Sequence, residues 1–180
     1  MRKRELLFPF ILMASSIHAA ENDQTALSRY EIFDSDSQPI TLEDLEAMED
    51  EYEALLDASD CTEALPKIVA FAETANRVSN LIRRGNEPYY DARRDDQKVI
   101  ARDRALLNQL VAAENATNNL VAKRNAAWVE EAKCLILEGE LNAGINRLYR
   151  ALDYIEPDDR ELWEEARTLL WDQVGFEPQN

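Results

Sequence analysis

Histidine is nearly absent from this 180-residue chain, the single copy being His18. Glycine numbers 4, proline 6 and cysteine 2. So few glycines and prolines disfavour a turn-rich β-sandwich and favour helices. No strand-length alternation of apolar and polar residues stands out either, so the expected fold class is all-α. Basic residues are scarce, 20 against 36 acidic, giving a net −16. Without a basic footprint, nucleic-acid binding and docking on anionic lipid are both disfavoured. The length suits one domain with its own core.

Residues 1–19 read as a secretory signal peptide. Arg2, Lys3 and Arg4 form a basic start, Leu6 to Ala14 an apolar run, and Ser15 to Ala20 offer small residues for cleavage after Ala19. The apolar run is shorter than the roughly 20 residues that span a bilayer, and no later stretch is a membrane span. Cleavage removes three of the 20 basic and one of the 36 acidic residues, leaving 17 and 35, a net −18. It also removes His18. A mature chain without histidine cannot run a Ser-His-Asp or Cys-His mechanism, nor build histidine-containing zinc or haem sites. The Glu-Ser dipeptide of lytic transglycosylases is missing too. The expectation is a non-enzyme without a cofactor, located in the periplasm or secreted.

Cys61 and Cys134 are too far apart for a CxxC motif. In an exported protein two cysteines predict one disulfide, the alternative being two buried thiols.

Residues 20–40 read as a flexible acidic lead-in, 41–176 as a single helical domain and 177–180 as a tail. Thr41 is a suitable N-cap, with Glu43 and Asp44 in the first turn. Leu42, Leu45, Met48, Tyr52, Leu55 and Leu56 then recur at helical spacing. Asp60 starts a second helix, which Gly85 and Pro88 close. From Asp95 to Glu138 there is neither glycine nor proline. That stretch is one long helix, or two broken near Asn115–Asn119. Its seam of Val99, Leu106, Leu110, Ala113, Thr117 and Leu120 could serve as a coiled-coil contact. Leu141 to Ile155 forms the next helix. Asp158, with Glu161 three residues on, reads as a capping box for the last.

Within residues 127–157, Trp128, Ala132, Leu135, Gly139, Leu141, Gly144, Leu148 and Ala151 fall in step. This stretch resembles a tetratricopeptide repeat, in which small residues let two helices cross closely. A weaker copy lies 80 residues upstream, with Tyr52, Leu55, Ser59, Cys61, Ala64, Ile68 and Phe71 in register. The resemblance implies antiparallel helical hairpins in a right-handed array closed by a C-terminal capping helix. It also implies a scaffold or adaptor that binds another envelope or secreted protein, through surface residues such as Glu130, Glu131 and Lys133.

Residues 27–46 resemble a degenerate EF-hand, which implies calcium ligation by Asp34, Asp36 and Asp44. Pro39 stands where glycine makes the sharp turn, and the loop is one residue short. The alternative is a linker followed by a plain helix cap. Charge is uneven along the chain. Tyr30 to Pro66 holds 13 acidic and no basic residues, whereas Arg83 to Arg104 holds seven basic against five acidic. The acidic first helix could therefore meet a basic partner or dock on the basic stretch.

Overall fold

The computed structural model describes residues 40–178. The signal-peptide and lead-in readings, and with them Asp34 and Asp36, lie outside the described residues. Among those residues there are seven helices and no strand. They are α1 (Leu42–Asp57), α2 (Cys61–Gly85), α3 (Glu87–Tyr90), α4 (Arg94–Ile100), α5 (Arg104–Leu137), α6 (Leu141–Tyr154) and α7 (Arg160–Val174). No helix in this range is long and apolar enough to cross a membrane.

Local chemistry sets the helix starts. Thr41 and Asp44 close a capping box on α1: Asp44 N–H donates to Thr41 Oγ1 (3.1 Å) and Thr41 N–H to Asp44 Oδ2 (2.7 Å). Asp60 caps α2 by accepting from Glu63 N–H at 3.1 Å. At the last helix the expectation shifts by one residue. The N-cap is Asp159 rather than Asp158, and no side chain closes that end.

The chain between Asp95 and Glu138 divides elsewhere than the asparagines suggest. α4 ends at Ile100, and Asp103 caps α5 by accepting from Ala105 and Leu106 N–H. α5 then runs unbroken through Asn115–Asn119 for 34 residues, about 50 Å at 1.5 Å per residue. Its neighbour α6 has 14 residues and covers only part of that length. Buried residues on α5 accordingly begin at Leu120, and the stretch 104–117 holds none.

Helix packing follows the chain: α1 lies on α2, α2 on α5, α5 on α6 and α6 on α7. The core runs through all five, from Leu45 and Tyr52 on α1, through Ile68 and Phe71 on α2, to Leu148 on α6 and Ala166 on α7. Tyr52 and Phe71 pack ring against ring, centroids 5.3 Å apart. Cys61 at the start of α2 and Cys134 near the end of α5 form a disulfide, cross-linking residues 73 apart in sequence.

Two tight turns share one hydrogen-bond pattern. After α1, Ser59 N–H donates to Leu56 O (2.8 Å) and Asp60 N–H to Leu55 O (3.0 Å). After α5, Gly139 N–H donates to Ile136 O (3.1 Å) and Glu140 N–H to Leu135 O (2.8 Å). Both are Schellman closures, which place one residue in the left-handed region. That residue is Ser59 at φ 58° in the first and Gly139 at φ 87° in the second. A side chain costs about 1–2 kcal/mol there that glycine avoids. We therefore expect Ser59→Gly to raise the unfolding free energy by about 0.5–1 kcal/mol, after offsetting glycine's greater unfolded-state entropy. Urea denaturation reads the change, and a stability at or below that of the parent would refute the argument.

Candidate functional site

The α5–α6 hairpin is organised by a close helix crossing. Gly144 on α6 lies over α5. A Cβ built there would stand 2.6 Å from Ile136 Cγ1 and 3.1 Å from Ala132 O. Ala132, Leu148 and Ala151 are fully buried around this crossing, and Trp128 nearly so. Leu135 is half-buried and Gly139 makes the turn, while Leu141 is largely exposed. Most of the positions singled out from spacing thus meet in one packed unit, with Leu141 outside it.

Helical periodicity divides α5 into two working faces. One carries Lys123, Glu130 and Lys133. Lys123 pairs with Glu49 on α1, and Lys133 pairs with Glu130 (2.7 Å) and with Glu165 on α7 (2.5 Å). α1, α5 and α7 are therefore linked along one side of the fold. Two depressions open on that side. A slot between α1 and α5 is lined by Leu42, Glu46, Glu49, Asn119 and Lys123 among others. A shallow groove between α5 and α7 is lined by Lys133, Glu164, Glu165, Thr168, Leu169 and Asp172. Burial acts to lower the Lys133 pKa, but the hydrogen bonds to Glu130 and Glu165 outweigh it, so the ammonium is held above its ordinary range.

The other face carries Arg124, Trp128 and Glu131, spaced by four and three residues and turned toward α2 and α6. Glu131 was expected on the presenting surface beside Glu130 and Lys133. It is instead only 4% exposed, its carboxylate held by Arg147 of α6 at 2.7 Å. The reason is the helical pitch: one residue from Glu130 is about 100° of rotation. Burial raises the Glu131 pKa, with Arg147 opposing.

That shift has a defined sign. A carboxyl whose folded pKa is raised contributes stability fully below its unfolded pKa, and the contribution is lost as pH rises through the folded value. The stability of the parent relative to Glu131→Gln should therefore increase as pH falls from 7 to 4.5. Urea titrations of both proteins at the two pH values measure it, and a parallel pH response would show that Glu131 is not desolvated.

Asp44, the closing carboxylate of the EF-hand resemblance, serves the α1 capping box. Its pKa is lowered by the hydrogen bonds from the Thr41 hydroxyl and backbone. No cluster of three or more acidic, histidine or cysteine side chains that could hold a metal ion occurs among the described residues.

One network is almost without signal in the linear sequence. Arg124 donates to Asn76 Oδ1 on α2 (2.6 Å) and to Asn125 Oδ1 (2.8 Å), while Asn125 Nδ2 donates to Tyr154 O on α6 (2.8 Å). The Arg124 guanidinium lies 4.4 Å from the Trp128 ring centre and 5.2 Å from that of Tyr154. Only the spacing of Arg124 and Trp128 on one helical face could have hinted at it.

No protein-family model, curated protein or solved structure matches this chain.

Proposed function

We propose that the chain is an exported, non-catalytic helical scaffold of the tetratricopeptide-like kind. Its α1–α5–α7 side binds another envelope or secreted protein. The observation that carries this reading is the equivalence of the two turns. Ser59 and Gly139 occupy the same place in the same Schellman closure at an offset of 80 residues, the offset at which the two copies align. Supporting it is the Gly144 crossing, where small residues permit the close approach that such hairpins use. In this reading α1 and α2 form one hairpin, α5 and α6 a second, and α7 caps the array. The disulfide between the hairpins fits an oxidising compartment.

The test is affinity capture of the tagged mature protein from its native envelope fraction after mild crosslinking. Thr168→Lys and Asp172→Lys, both at exposed positions of the α5–α7 groove, should abolish recovery of a dominant partner. Recovery of the bait alone, or of a partner indifferent to both changes, would refute the reading.

A second reading has one observation in its favour. Leu107 and Val111 on α5 and Val99 on α4 are exposed, 40%, 46% and 66%, on a stretch with no buried residue. That favours self-association through the exposed 99–111 stretch, to which the 99–120 seam contributes Val99. Light scattering that finds a concentration-independent monomer would exclude it.

A further inference from the structure

The Arg124 network satisfies hydrogen bonds without neutralising charge. Arg124 is only 6% exposed. Its acceptors are the side-chain oxygens of Asn76 and Asn125, which are neutral. No carboxylate pairs with it among the described residues, although the chain holds 36. Arg150, one helix away, lies 4.8 Å from the same Trp128 ring and likewise has no ion pair among those residues. Arg147 is the third guanidinium on this face, and it holds Glu131, the one buried carboxylate among the described residues. The one buried carboxylate is thus held by Arg147, and neither Arg124 nor Arg150 has an ion pair of its own among the described residues.

A buried cation without a counter-ion is costly, and stacking on aromatic rings offsets only part of that cost. Burial lowers the Arg124 pKa, and the charge of Arg150 acts the same way while Tyr154 opposes. Both guanidiniums nonetheless remain charged at neutral pH. A planar oxyanion is the group whose arrival relieves such a site, because a guanidinium offers paired donors to it. The approach is open on one side. Arg150 and Tyr154 are both exposed, the tyrosine 51%. Asn125 also lines a notch with Glu156, Asp158 and Asp159, whose charge would repel an anion. Entry is therefore over the Arg150 and Tyr154 side. Tyrosine, tryptophan and arginine together are the residue types that dominate binding hot spots.

We propose that Arg124 and Arg150, stacked on Trp128 beside Tyr154, form a seat for a side-chain carboxylate of an acidic peptide segment. Arg150 makes the first contact, and the Arg124 charge beneath it strengthens the hold. Tyr154, edge-on to Trp128, flanks the bound segment. The seat lies on the α2–α6 side of α5, away from the Lys133 groove, and does not depend on that groove's role.

The test is an NMR titration of the full mature chain, following the Trp128 indole N–H at constant ionic strength. The probe is a triglutamate peptide blocked at its C-terminus. Saturable movement of the Trp128 resonance is expected, with at least a tenfold weaker response in Arg150→Gln. That variant alters an exposed side chain and leaves the core intact. Lys98→Gln, exposed on α4, should respond like the parent. A Trp128 resonance that moves no more than with sodium chloride, or that responds equally in Arg150→Gln, would overturn the proposal. So would a stronger response to inorganic phosphate than to the peptide. The measurement uses the isolated protein, so its outcome is independent of the capture experiment.

Discussion

Replacing both Cys61 and Cys134 by serine should lower the unfolding free energy by about 4 kcal/mol. The bond closes a loop of 73 residues, and the chain-entropy treatment gives a denatured-state restriction of about that size for such a loop. For a folded unit of this size the midpoint of thermal unfolding should fall by on the order of 10 °C. The folded geometry argues that the loss is mainly in the denatured state. Cys134 is fully buried among α2 and α5 side chains, and serine there is nearly isosteric. The adjacent Thr62 Oγ1 to Glu138 Oε1 hydrogen bond (3.0 Å) still joins the same helix ends. Scanning calorimetry of the parent with and without dithiothreitol, beside the double variant, measures the effect. The reduced parent and the variant should coincide. A midpoint within a degree or two of the oxidised protein would show that the bond does not restrain the unfolded chain.

Particular residues show how far this architecture can be read from its linear code. The core stripes were visible because apolar residues on α1, α2, α6 and α7 repeat at helical spacing, and Leu45, Ile68, Phe71, Leu148 and Ala166 are indeed buried. The division of the 95–138 stretch was not visible. Five residues rich in asparagine suggest a break, but Asn115, Asn118 and Asn119 point to solvent, and neighbouring helices carry α5 through. The break falls at Asp103, whose carboxylate supplies the cap. Glu131 was misplaced because spacing gives the angle around a helix but not which helix lies beyond it. Arg124 was missed for the same reason at longer range, since its partners stand at Asn76 and Tyr154 on other helices.

The charge distribution adds a constraint on any partner. α1 has no basic residue in its last turn and carries acidic residues in its first, so its exposed face is almost wholly negative. Lys123 and Lys133 on α5 are already engaged by Glu49, Glu130 and Glu165. A partner approaching the α1–α5–α7 side therefore meets excess carboxylate. Basic side chains on that partner would speed encounter, and the rate should fall as salt is added. The proposed Arg124–Arg150 seat has the opposite sign, so the two faces would favour oppositely charged segments.

Gly144→Val should cost about 2–3 kcal/mol, the second largest effect expected here. The substitution gains a few tenths of a kcal/mol in helix propensity. It meets two obstacles of different kinds. A Cβ at this position would stand 2.6 Å from Ile136 Cγ1, which belongs to a stiff β-branched side chain, and 3.1 Å from Ala132 O, which is backbone. The first can be removed by truncating Ile136; the second yields only if α5 and α6 move apart. Separation would loosen Leu148 and Ala151, both fully buried, and overpacking of such a contact costs about 1–3 kcal/mol. A double-mutant cycle with Ile136→Ala separates the two contributions. Partial recovery is expected, because the Ala132 carbonyl remains in the way. Full recovery to the stability of Ile136→Ala alone would place the whole clash on the side chain. No loss at all in Gly144→Val would mean that the close crossing of α5 and α6 does not hold in solution.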